Sequence, residues 1–149
     1  MGRTLLFFLV TLLIVPSAWA QSEDPIITDR PDFTESPVSV SPGTIQIELG
    51  ATAFDYDAGS LWNAGETLVR YGLFNKVEMR LQLPSAIGGD DLDSGLSDSG
   101  FGVKIELGSF AQRVEMALIA STTLPTGADD FTSDAVDPGL ILAAGMMLN

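Results

Sequence analysis

The sequence predicts an all-β protein, an antiparallel up-and-down meander of about six strands, and three observations carry that reading. Apolar and polar residues alternate with a period of two in segment after segment. The segments are bounded by Pro, Gly, Asn and Asp, which break strands or make turns. The connections between them alternate between long and short.

Residues 1–20 stand apart from the fold. Arg3 supplies a positive start, Leu5 to Val15 is apolar except for Thr11, Pro16 ends the run, and Ala18-Trp19-Ala20 is a small-x-small cleavage site. This is the pattern of a cleaved signal peptide. An uncleaved anchor needs about 18 or more apolar residues, which this run lacks, and no cysteine follows to take a lipid. The formal charge of −13 speaks against a nucleic-acid partner. With no Cys and no His, disulfides, thiol nucleophiles, Ser-His-Asp triads and His-ligated zinc drop out. Nothing in the pattern sets two carboxylates around a substrate, so no catalytic residue, no metal, no cofactor and no enzyme is expected.

Residues 21–43 carry Pro25, Pro31, Pro37 and Pro42 without periodicity and predict an extended tail lying along another part of the molecule. The strands then occupy residues 44–149. Thr44–Phe54 alternates without a break, with Ile45, Ile47, Leu49, Ala51 and Ala53 on one face. A tilted membrane-spanning strand needs about 9–11 residues, and soluble strands are usually about 5–6. A loop is predicted over 55–65. The central hairpin, Glu66–Leu83, turns at Leu73-Phe74-Asn75-Lys76, with Asn75 the residue best suited to a left-handed backbone. A second long loop covers Ser85–Asp98. Phe101–Leu107 is the fourth strand, Gly108–Gln112 a short turn, and Arg113–Leu124 the longest alternating run. Its polar face weakens at Ala117 and Ile119. After the acidic loop Thr126–Pro138, Gly139–Leu148 is a sixth strand or, alternatively, a buried helix.

Long outer loops alternating with short turns are what an outer-membrane barrel shows, and aromatics gather near strand ends, as in interfacial girdles: Phe54, Tyr56 and Trp62 at one, Tyr71, Phe74 and Phe110 at the other. On this reading membrane lipid is the partner of the apolar face. The polar face lines a lumen, with Glu48, Glu66, Arg70, Glu78, Arg80, Gln82, Lys104, Glu106, Arg113 and Glu115 shaping what passes. The alternative is a soluble periplasmic β-sandwich binding module with the apolar face inward. Asp90, Asp91, Asp93 and Asp98 imitate the start of a calcium loop, but the twelfth position, where a bidentate Glu belongs, is Gly102.

The segments TDRPDFTESP (28–37), PGTIQIELG (42–50), LVRYGLFNKVEMRLQLP (68–84), GFGVKIEL (100–107) and TLPTG (123–127) are similar to those of the outer-membrane family named for the meta-cleavage pathway of phenol degradation. The resemblance implies an exported outer-membrane β-barrel, a channel or transporter for small compounds, aromatic ones included. The chain departs from that family at Ser97-Asp98-Ser99-Gly100, where Gly-Asp-Leu is usual, and ends Met147-Leu148-Asn149 instead of on an aromatic. Membrane barrels begin at about eight strands, so the chain reads as the N-terminal portion of an incomplete barrel.

Charge pairing further predicts register. A partner sum of 219 sets Glu106 against Arg113 and Lys104 against Glu115. A sum of 148 in the central hairpin sets Arg70 against Glu78. The tail is expected at the short-turn end, bracing the lumen through Arg30, Asp32 and Glu35.

Overall fold

The computed structural model describes residues 26–29, 34–57, 59–90 and 92–146; the expected signal peptide and cleavage site lie outside them. The strands are β1 (Ile45–Tyr56), β2 (Gly59–Phe74), β3 (Val77–Leu83), β4 (Ala86–Gly89), β5 (Leu92–Leu96), β6 (Ser99–Phe110), β7 (Val114–Leu124) and β8 (Asp137–Met146). They form one antiparallel sheet in the order β5-β4-β2-β3-β6-β7-β8, with β1 on the other edge of β2. Among the described residues β1 and β8 do not pair, so the sheet is an open meander and an incomplete barrel. Gly139–Met146 pairs with β7 and is a strand, not a helix.

Two predicted loops are largely strand. Only two residues separate β1 from β2, because the 55–65 segment continues the ladder from Ala51↔Ala64 to Tyr56↔Gly59. Gly65, which reads as a breaker, instead takes φ 74 at a bulge where the register shifts between Gly50 and Ala51. The segment 85–98 folds into the small β4–β5 hairpin, and β4 continues β3 along the same edge of β2. Pro84, which has no N–H to donate, stands at the break between them. Among the described residues there are therefore eight strands, six of them the ones expected.

The turns use unexpected residues. Lys76, not Asn75, takes the left-handed backbone after β2, at φ 67. Between β6 and β7, Ala111 and Gln112 both do so, at φ 50 and 58, and Arg113 N–H donates to Phe110 O at 3.2 Å. The two consecutive positive φ values close a β-turn from Phe110 to Arg113, and the ladder resumes at Phe110↔Val114, a three-residue connection. Its position past Phe110 overturns the predicted register: Lys104 faces Ile119 and Glu106 faces Ala117, with a bulge between Glu106 and Gly108. The central hairpin is likewise shifted, with Arg70 opposite Arg80 and Gly72 opposite Glu78.

The sheet's two faces are inverted relative to a water-soluble protein. Along β1, Ile47 and Leu49 are 63% and 73% exposed, while Glu48 between them is 6% exposed. The same holds in β3, where Met79 and Leu81 are exposed and Glu78 and Arg80 buried, and in β6, where Phe101 and Ile105 are exposed and Lys104 buried. Because polar groups are buried only where they find partners, something must cover that face and satisfy it. The apolar face is not the inward one, contrary to the sandwich alternative.

What covers the polar face is the N-terminal arm. It enters at the short-turn end, where Gly43 N–H donates to Gly72 O (2.8 Å) and Gly72 N–H to Thr44 O (3.0 Å). Gly72 is required there: a Cβ would lie 2.1 Å from Ser41 O. Val40 is buried, and a Cβ on Gly145 of β8 would meet Pro37 Cγ at 3.1 Å. Contacts with both β2 and β8 mean that the sheet curls around the arm.

Candidate functional site: a buried charge cluster under the N-terminal arm

Strand alternation brings Glu48, Arg70, Glu78, Arg80 and Lys104 together on the covered face, from β1, β2, β3 and β6, and all are buried. Arg70 is 1% exposed and uses each of its five N–H donors. Nε and Nη2 hold Glu78 as a fork, at 2.9 and 2.8 Å. Nη1 donates to Glu48 Oε1 (3.0 Å) and to Ile27 O (2.9 Å), and Nη2 also to Val38 O (2.9 Å). One guanidinium thus grips both flanks of the arm and ties them to the barrel wall.

Asp29 of the arm is the hub. Its Oδ2 accepts from Arg80 Nη1 and Lys104 Nζ, each at 2.5 Å, and lies 3.5 Å from Arg70 Nη1. Its backbone N–H donates to Glu48 Oε2 (2.8 Å), and its Oδ1 accepts from Ser36 N (2.9 Å). Burial opposes ionisation of this carboxyl, but Lys104, Arg70 and Arg80 outweigh it and hold the pKa down to about 2. Glu35 accepts from Arg80 Nη2 at 2.8 and 3.0 Å. Burial nevertheless pushes its carboxyl up, with the neighbouring Asp29 acting in the same direction and Arg80 against it. Further along, Val40 N donates to Glu78 Oε2 (2.8 Å), while Ser39 donates to Glu106 Oε1 from N (2.7 Å) and Oγ (2.6 Å).

The facing of Arg70 and Arg80 is tolerated because Glu78 accepts from both, at 2.9 and 3.1 Å from the same Oε1. Glu66 is buried higher on β2, where Thr52 donates to it at 2.9 Å. Gln82 and Glu106 share the covered face and are half-buried. Arg113 and Glu115 are exposed at the hairpin end, and Glu115 accepts from Ser109 Oγ. They take no part in the cluster. The expected pairs with Glu106 and Lys104 are replaced by Ser39 and Asp29.

Of the arm residues expected to meet these charges, Glu35 does so, whereas Arg30 and Asp32 lie outside the described residues. Asp29 is the partner that sequence reasoning missed. Its one signal was an acid in the TDRPDFTESP segment, since the strand carboxylates Glu48, Glu66, Glu78 and Glu106 already outnumber Arg70, Arg80 and Lys104 on this face. Away from the cluster, Asp90 accepts from Ser60 N (2.9 Å), and Asp98 from Gly127 N (2.8 Å) and Thr126 N (3.0 Å). These backbone donors, Gly127 first, hold the Asp98 carboxyl below its usual value. Among the described residues no group of three or more His, Cys, Asp or Glu is arranged to hold a metal ion.

Residues 28–145 match the model of the family described as "Putative MetA-pathway of phenol degradation". No curated protein and no solved structure matches the chain.

Proposed function

The chain belongs to the phenol-degradation MetA-pathway family, and from that membership we propose that it is an exported outer-membrane β-barrel protein that passes small compounds, aromatic ones included, with the N-terminal arm seated in the lumen. The observation that carries this reading is the inverted burial, with Arg70, Glu78 and Lys104 at 1% exposure or less beneath the arm and Ile45, Ile47 and Leu49 at 63% or more on the opposite face. An antiparallel meander with an apolar outside and a charged inside matches a bilayer and a lumen. Hydrocarbon offers backbone groups no partner, so in a bilayer the edges at β1 and β8 have to be paired as well.

On this reading Glu48, Glu66, Arg70, Glu78, Arg80, Gln82, Lys104 and Glu106 line the passage, and the arm narrows it. The test is fractionation of the full-length protein followed by reconstitution. Retention in outer membranes after carbonate washing, together with aromatic-solute permeability in proteoliposomes, is the expected result. Complete release into the carbonate wash defeats the reading.

A further inference from the structure

We propose that Arg70, Arg80 and Lys104 form a carboxylate-binding site that the chain's own Asp29 occupies, and that small monocarboxylate solutes compete with the arm for it. The inference rests on the lumenal reading of the covered face and names a solute class for it.

Three cations from three different strands converge on one oxygen, Asp29 Oδ2, at 2.5, 2.5 and 3.5 Å. The cations belong to the sheet, and the carboxylate belongs to a separate segment. Once the arm is set aside, Asp29 and Glu35 leave with it, and the wall retains three positive charges around the negative charges of Glu48 and Glu78. Glu78 is already forked by Arg70, and Lys104 Nζ stands 3.8 Å from it. Lys104 would then lose its acceptor at 2.5 Å and keep only the more distant Glu78 of these carboxylates. Three cations against two carboxylates leave the vacated site with one net positive charge, which draws in an anion. The anion it fits is a carboxylate, because that is the group the same donors already hold with charge-assisted geometry. A solute that supplies one substitutes for Asp29 and releases the arm; a neutral solute cannot.

The test uses acetate as the probe, with sodium chloride at equal ionic strength and acetamide as controls. Thr34 is an exposed residue of the arm, and the chain has no cysteine of its own. In the full-length protein with a nitroxide at Thr34→Cys, acetate should mobilise the label and the controls should not. Asp29→Ala removes the internal competitor. Its apparent acetate affinity should rise by about tenfold or more, since the fraction of molecules with a vacant site limits apparent affinity. Adding Arg80→Gln should abolish the gain. The proposal is overturned if acetate leaves the label unmoved, if Asp29→Ala binds acetate no better than the parent, or if the gain survives Arg80→Gln. Should Asp29→Ala fail to fold, the label experiment on the parent arm decides alone. Membrane retention is read separately, so a protein that fractionates and conducts but ignores acetate loses only this inference.

Discussion

Arg70 shows how little freedom one side chain has in this cluster. Its planar fork reaches a carboxylate with two N–H groups and two arm carbonyls with two more, a geometry that a three-donor ammonium on a flexible stem cannot reproduce. Arg70→Lys is therefore expected to lose at least one charge-assisted bond, at about 1.5–3 kcal/mol, and to loosen the arm at Ile27 and Val38. Denaturant titration with a label on the arm measures this.

Two carboxyls in the arm titrate with opposite consequences. Asp29 has its folded pKa depressed to about 2 from 3.8, so its stabilisation is complete above 3.8 and is lost as pH falls through about 2. Glu35 has its folded pKa raised above 4.5, so the docked arm favours its protonated form and is disfavoured as pH rises through that raised value. Acidification from neutrality should first tighten the arm and then release it, giving a maximum between the two transitions. Nitroxide mobility at Thr34→Cys against pH checks this; monotonic release on acidification would contradict the Glu35 sign.

Among the elements, the faces were legible and the registers were not. The period of two in Ile45–Leu49 and Val77–Leu83 assigns sides whatever the pairing, and the structure keeps those sides. Register depends on where turns close and where extra residues enter. Here Ala111 and Gln112 turn without a glycine or asparagine to mark the place. Bulges between Gly72 and Phe74 and between Glu106 and Gly108 displace the ladders again. Charges do pair across neighbouring strands at Arg70, which takes Glu48 of β1 and Glu78 of β3, but not between β6 and β7, because Lys104 and Glu106 find partners on the arm. That contact spans 75 residues for Lys104 and Asp29, a distance that strand patterning does not reach. The arm's entry point makes a prediction at the same scale. Gly72→Ala would place a methyl 2.1 Å from Ser41 O, against backbone that cannot swing aside. An overpacking cost of about 1–3 kcal/mol and faster proteolysis within the arm are expected, whereas Gly43→Ala meets nothing within 4 Å and suffers only from its φ of 77.

For the whole molecule, the decisive property is which solvent each face meets, and neighbouring residues of β1 can separate the possibilities. Leu49 is 73% exposed and Glu48 is 6% exposed. In water, replacing so exposed a leucine by arginine should change stability by no more than about 0.5 kcal/mol. In a bilayer the same arginine faces hydrocarbon, at about 2–4 kcal/mol near mid-depth. Glu48→Gln is costly in either solvent, because its carboxylate accepts from Arg70, Gln46 and the Asp29 N–H. It therefore serves as a control that reports the cluster and not the environment. Equilibrium folding of the full-length protein into liposomes should place Leu49→Arg in the bilayer range and Phe101→Arg with it, since Phe101 lies on the same outer face at 52% exposure. The cost of arginine should approach zero near the strand ends, at Phe74 or Phe110, which are 69% exposed beside the short turns and would sit where the interface admits charge. A flat profile, with arginine tolerated equally at Leu49 and Phe74, would mean that the apolar face meets something other than lipid.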